Sequence, residues 1–311
     1  MTPALSFDRV TKRYGTLAAV ESLTFDVRAG EMFGLIGPDG AGKTTSIRVL
    51  CGLLHADAGA VRVLGFDPVK QHREITARVG YLSQRFSLYG DLTIDENIAF
   101  FAEIHGMSHY AARRDRLLEM MQLTPFRGRL AEQLSGGMKQ KLALACTLVH
   151  EPEVILLDEP TTGVDPVSRR EFWKLLSQFL ATGITILMST PYLDEAERCT
   201  RVALLDRGRL MAVDTPESLR ASLAGTMFEI VVADVEQAQA VLRAHGVDAH
   251  IFGDRLHAWV REMDARLASP AALKDRPGAK RFASLLPDAH VRVITPSLED
   301  VYIARMTELR T

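Results

Sequence analysis

The stretch GPDGAGKTT, residues 37–45, constrains this chain more than any other. It fits the pattern G-x-x-x-x-G-K-[ST]. An apolar run, EMFGLIG at 31–37, leads into it, and a helical pattern, KTTSIRVLCGLL, leaves it. A strand, a glycine-rich turn and a helix start are the context the pattern needs. Gly37, Gly40 and Gly42, with Pro38, Asp39 and Ala41 between them, let backbone N–H groups converge on phosphate oxygens. The helix start at Lys43, Thr44 and Thr45 adds the positive end of its dipole. In such a loop Lys43 reaches the β- and γ-phosphates and Thr44 ligates Mg²⁺.

A second motif supplies the acid that such a site needs. VILLDEP, 154–160, places Asp158 and Glu159 at the end of a buried apolar strand. A carboxylate there holds Mg²⁺, directly or through water, and its neighbour polarises the attacking water as general base. Asp158 is therefore the expected metal residue and Glu159 the expected catalytic one.

Periodicity orders the rest. ALSFDRV and LTFDVR read as antiparallel strands, and ARVGYLS at 77–83 as another. From 93 to 149 strand character disappears. Thr93 with Glu96 forms a capping box that opens one helix, and Ser135 in LSGGMKQ is a natural N-cap for another. Alternation then returns: strand 153–158, helix 167–181, strand 185–189, helix 193–198 and a strand RVALLDRGRL. Strands alternating with helices predict a mostly parallel, covered sheet. Near Gly225 the pattern changes to a small α+β unit in β-α-β-β-α-β order, with a helix near 264–275.

With LSGGMKQ added to the two phosphate-site motifs, residues 4–222 resemble the ATP-binding-cassette (ABC) ATPases. The resemblance implies an α/β P-loop sheet with an inserted helical subdomain at about 93–149, followed by the small C-terminal α+β domain at 225–311. It implies a head-to-tail dimer, homo- or heterodimeric, with ATP between the P-loop of one cassette and the signature helix of the other. Ser135, Gly136 and Gly137 would then face the γ-phosphate bound to the partner. Tyr14 resembles the aromatic that stacks on adenine. Gln84 matches the glutamine that contacts Mg²⁺ and the water, and the stretch from Gln84 to Asp95 the docking surface of an integral membrane subunit. Asp165 in GVDP matches the loop that communicates between sites. The pattern is most similar to ABC-2-type multidrug exporters, in particular the first cassette of tandem-cassette proteins. The chain stops at 311, so a second cassette is expected as a separate protein. The C-terminal unit, ending TPSLEDVYIARM, reads either as a regulatory or dimer-stabilising domain or as an appendage without ligand.

Two positions depart from that family pattern. After the strand ILMST the family has a histidine that contacts the γ-phosphate, and here stands Pro191. Proline has no side-chain donor and no backbone N–H, and losing one transition-state donor costs about 10²–10³ in rate. Hydrolysis at this chain's own site is thus expected to be slow, and an asymmetric dimer follows as an expectation. Asp39 stands where asparagine is common. It either repels the triphosphate, by about 4 kcal/mol at 4 Å for an effective dielectric of 20, or turns away to cap the loop.

Composition narrows the setting. A net charge of −2 gives no basic field for nucleic acid, so no nucleic-acid partner is expected. Ribosome- or DNA-acting cassettes usually carry two cassettes, a long insertion or a basic patch, and none is visible. A module that binds ATP only to dimerise is the other alternative, favoured by Pro191 and opposed by Glu159. No apolar run reaches the roughly 18–20 residues of a membrane span, and the N-terminus lacks a signal-peptide pattern. Cys51, Cys146 and Cys199 match no metal-ligand spacing and fit reducing cytosol. The expected location is the cytoplasmic face of the cell membrane, with the chain held there by a partner.

Overall fold

The computed structural model describes residues 2–85, 87–260, 282 and 284–308. The chain divides into two compact units, Met1–Pro216 and Glu217–Thr311. Residues 217–222, read from the sequence with the first unit, cluster with the second.

The first unit opens with β1 (Leu5–Tyr14) and β2 (Leu17–Val27). They are followed by β3 (Met32–Ile36), α1 (Lys43–Leu50) and β4 (Ala58–Val63). A three-stranded antiparallel sheet runs β2-β1-β4. It is fastened to β3 by a column of rings: Phe7 stacks on Phe25 at 4.6 Å and Phe25 on Phe33 at 5.4 Å. Next come α2 (His72–Arg78) and β5 (Val79–Leu82), then the all-helical α3 (Ile94–Ile104), α4 (Ala111–Met120) and α5 (Gly136–Leu148). Thr93 caps α3 as its sequence predicts: Glu96 N donates to Thr93 Oγ1, and Thr93 N donates to the Glu96 carboxylate.

The chain then returns to the sheet with β6 (Val154–Asp158), α6 (Pro166–Ala181), β7 (Thr185–Thr190) and α7 (Leu193–Ala196). It finishes with β8 (Arg201–Asp206) and β9 (Arg209–Asp214). The main sheet runs β5-β6-β7-β3-β8-β9, parallel except for β9. β3, β6 and β7 are buried along their whole length, as strands covered on both faces must be. One expectation is corrected: RVALLDRGRL is not one strand but a hairpin. Arg207 and Gly208 both have positive φ, 46° and 79°, which suits the tight turn that joins twisted antiparallel strands. The β4 strand and α2 helix were not foreseen; β4 has three exposed residues in a row and little periodicity.

The second unit holds α8 (Pro216–Ala221, its first residue in the other unit), β10 (Thr226–Val231) and α9 (Val235–Ala244). After these come β11 (Asp248–Phe252), β12 (Arg255–Val260), β13 (His290–Ile294) and α10 (Leu298–Glu308). Its antiparallel sheet runs β11-β12-β10-β13. Alternation sends Phe228, Ile230, Leu256 and Ala258 to one face, where they pack with Ala238 and Leu242 of α9. The other face carries Glu229, which accepts from Arg255 at 3.1 Å and Arg292 at 2.6 Å. The helix expected near 264–275 lies outside the described residues.

The end of α3 meets the end of α5 through two rings, His105 and His150, stacked at 3.7 Å. Burial, and then the neighbouring His105, push His150 from its ordinary 6.5 down to about 4. Above pH 6.5 neither folded nor unfolded chain protonates it. Below that, the unfolded chain takes up a proton that the folded chain refuses, so stability falls as pH falls. The melting temperature should decline between pH 6.5 and about pH 5, and His150→Phe should flatten that slope; a variant with the wild-type slope would show that His150 is not its source.

Candidate nucleotide site

The parallel order of β6, β7 and β3 brings three strand ends side by side, and the site grows from them. Asp158 is paired in register with Ser189, and Ile36 with Thr190. From the end of β3 the chain turns through residues 37–42 into α1. Two glycines are sterically required. A Cβ on Gly37 would run into the carbonyl of Leu205, and Gly42, at φ 98°, has no space between itself and Ala19 O. With Gly42 in the N-cap position and no side chain capping α1, the first-turn amides lack helical acceptors and stay available to an anion.

Lys43 lies beneath this loop, 3% exposed. Its Nζ donates to Gly37 O at 2.7 Å and Pro38 O at 3.0 Å, and pairs with Glu159 Oε1 at 3.1 Å. Glu159 is also buried, and Gln84 Nε2 donates to its Oε2 at 3.0 Å. Thr162 Oγ1 is 3.5 Å from the same oxygen. Glu159 sits at φ 48°, in the left-handed region that non-glycine residues occupy at a cost of about 1–3 kcal/mol. Ser189 compensates: its Oγ and its carbonyl both accept from Glu159 N. Ser189 was not singled out in the sequence, although its place opposite Asp158 in a parallel pair would have marked it.

Asp158 accepts hydrogen bonds on Oδ1 from Ser189 Oγ at 2.7 Å and Thr44 Oγ1 at 3.0 Å. Its Oδ2 is buried with no partner. Burial is the main reason its carboxyl is held above the usual range, with Glu159 adding to the rise against those two hydrogen bonds. An unpaired buried carboxylate oxygen beside a threonine hydroxyl fits a hard divalent cation such as Mg²⁺. The described residues form no cluster of three or more His, Cys, Asp or Glu that could hold a metal.

These groups open into a cavity of about 740 Å³. Tyr14, Gln84, Glu159 and the loop from Asp39 through Gly40, Ala41, Gly42, Lys43 and Thr44 to Thr45 line it; Gly37, Pro38 and Asp158 are not among its lining residues. Thr162, Pro191, Tyr192 and Arg207 line it as well. Tyr14, at the end of β1, is half exposed, with the Lys12 ammonium 5.9 Å from its ring centre. Asp39 is exposed on the wall and accepts no hydrogen bond from the loop, so it does not cap the loop.

Three expected residues with phosphate roles lie elsewhere. Ser135 Oγ accepts from Met138 N at 3.3 Å and Gly136 is exposed. Gly137 is buried against Ser168, where a Cβ would not fit. Asp165 caps α6, accepting from Val167 N and Ser168 N, and the bonds from Ser168 hold its carboxyl below the usual range. Gln140 Nε2 donates to Pro160 O and ties the signature helix to the end of β6. Beyond Gln84, the loop to Thr93 is pinned by fully buried Asn97, which donates to the carbonyls of Tyr89, Leu92 and Thr93 and accepts from Tyr89 N. Phe86 in that stretch lies outside the described residues.

Residues 20–162 match the family model described as ABC transporter. A Nod factor export ATP-binding protein I from Burkholderia orbicola (strain AU 1054) is 38% identical over 302 residues, covering 95% of this chain and 98% of that one. This chain belongs to the ABC transporter family as an ATP-binding cassette. A probable multidrug ABC transporter ATP-binding protein, YbhF, from Escherichia coli (strain K12) is 42% identical over 287 residues. The alignment covers 92% of the cassette described here but only 48% of that relative. Among solved structures, an ATP-binding subunit of an ABC transporter is similar with TM-score 0.65 and 31% identity, over 71% of this chain and 92% of that one. A dimeric cassette in a post-hydrolysis state with ADP and Pi is similar with TM-score 0.62 and 26% identity, over 68% and 98%.

The raised carboxyl of Asp158 has a measurable consequence. A group whose folded pKa lies above its unfolded one opposes folding once ionised. Asp158→Asn should therefore raise the melting temperature at neutral pH without ligand, because Asn Oδ1 still accepts from Ser189 and Thr44. The same variant should lose most of the stabilisation given by Mg-ATP. Thermal melts with and without Mg-ATP read both effects, and a variant that melts lower without ligand would contradict the first.

Proposed function

We propose that this cassette is the ATP-binding and ATP-hydrolysing subunit that powers a membrane exporter of drugs or other amphipathic molecules, through ATP-dependent dimerisation. One observation carries the reading. Lys43, Thr44, Gln84 and Glu159 converge on one cavity, with buried Asp158 bonded to Thr44 beside it, while Ser135 and Asp165 of the same chain lie outside it. A half-site of this kind is completed by a second cassette. The names of the export and multidrug relatives support the substrate class, and the dimeric cassette with ADP and Pi supports the pairing.

In the proposed reaction the oxygen of a water attacks the γ-phosphorus and the bond to the β,γ-bridging oxygen breaks. The water's proton goes to Glu159, leaving ADP and phosphate. Thr44 and Asp158, with Gln84, would hold Mg²⁺, which neutralises charge on the phosphates. Lys43 and the loop amides bind the triphosphate, and Tyr14 stacks on adenine. Ser135, Gly136 and Gly137 complete the site of the partner cassette, and Asp165 links the two sites. The stretch from Gln84 to Asp95 docks the membrane subunit, which keeps the cassette on the cytoplasmic face of the membrane. No helix among the described residues is long and apolar enough to cross a membrane.

Pro191 sets the pace. With no donor at that position, this P-loop forms the slow half of an asymmetric pair, and the faster half combines a complete partner P-loop with this chain's signature helix. Glu159→Gln should bind Mg-ATP but abolish turnover. Pro191→His should raise kcat by about tenfold or more, since one well-placed donor is worth 10²–10³. Steady-state hydrolysis across a protein concentration series tests both. A chain that binds no Mg-ATP overturns the proposal; tight binding without turnover, unmoved by Pro191→His, favours a module that only dimerises.

A further inference from the structure

Pro191 offers the cavity no donor, and the residue after it is a tyrosine. Tyr192 lines the same cavity as Lys43 and Glu159. Gln84 and Thr162, which also line the cavity, already direct their donors to Glu159. The Tyr192 hydroxyl has no hydrogen-bond partner among the described residues and is free to donate.

The ring is also held from behind. Tyr192 N donates to Thr190 Oγ1 at 3.1 Å, and Thr190 Oγ1 donates to Glu195 Oε2 at 2.7 Å. Arg169 lies over the Tyr192 ring with its guanidinium carbon 4.7 Å from the ring centre, and its Nε is 3.6 Å from Glu195 Oε1. Glu195 is 1% exposed. Glu195 Oε2 holds the strand end through Thr190, while its Oε1 faces Arg169 as an ion pair without a hydrogen bond. Arg169 belongs to α6, the helix that Asp165 caps. The tyrosine is therefore tied to the loop that communicates between sites.

We propose that Tyr192, oriented by Arg169 and Glu195, supplies the hydroxyl donor to the γ-phosphate that Pro191 cannot. The inference rests on the reading of the cavity as an ATP site and deepens it. Turnover at this P-loop then runs through Tyr192, with Arg169 as a positioning residue.

The test is a cycle on the full chain with Mg-ATP as probe, reading Mg-ATP affinity, kcat and trapping of MgADP with vanadate. Tyr192→Phe keeps the ring and removes only the hydroxyl. It should leave Mg-ATP affinity within about twofold while kcat and vanadate trapping fall about a hundredfold, the lower end of the range for one transition-state donor. Arg169→Gln should lower kcat in the wild-type background and have little further effect in Tyr192→Phe, because residues acting through one contact are not additive. Pro191→His should restore kcat in Tyr192→Phe. Wild-type kcat and trapping in Tyr192→Phe overturn the inference. So does a wild-type chain that binds Mg-ATP yet hydrolyses it no faster than Glu159→Gln, which leaves ATP binding intact as a reading. Absence of Mg-ATP binding in the wild type instead removes the ATP site itself.

Discussion

The ion pair between Lys43 and Glu159 is the constraint around which the first unit is arranged. Both charges are almost fully out of water. Burying a charge costs several kcal/mol, and removing one partner of a buried pair typically costs about 3–5 kcal/mol. The pair can exist only if the P-loop and the end of β6 are adjacent. The strand order β6-β7-β3 achieves this with one strand between them, and that strand contributes Ser189, which holds Asp158 and Glu159 together. Polar groups at the strand ends are thus satisfied by their neighbours, with the Asp158 Oδ2 atom left over.

How far this was legible depended on whether the chemistry was local. GPDGAGKTT and VILLDEP are complete in themselves, and the structure joins them through Lys43–Glu159 and Thr44–Asp158. The Thr93–Glu96 cap, a four-residue pattern, was equally readable. Ser189, Tyr192, Thr162 and Arg207 were missed because their roles arise from strand register and from turns that meet only after folding. The hairpin at Arg207-Gly208 was hidden inside an apolar run long enough to pass for one strand, and only the positive φ at both residues reveals the reversal.

The second unit shows the same limit from the other side. Its alternation predicted strands, and the sheet sorts them cleanly into an apolar face under α9 and a charged face around Glu229. On that charged face the sheet is internally balanced: Glu229 is held below the usual carboxylate range, chiefly by its bond from Arg292. Further along, His257 Nδ1 lies 2.9 Å from the buried carboxylate of Asp300 on α10. These cross-strand and strand–helix pairs specify the small fold, yet none is visible as a motif in the sequence.

Lys43 carries a consequence that reaches beyond stability. An ammonium has three N–H bonds, and here all three are spoken for by Gly37 O, Pro38 O and Glu159 Oε1. A phosphate oxygen that bonds this nitrogen must evict one of them. Two are main-chain carbonyls fixed in the loop; the third sits on a side chain that can turn. The eviction therefore falls on the carboxylate, and the loop behaves like an interlock that an arriving anion unfastens.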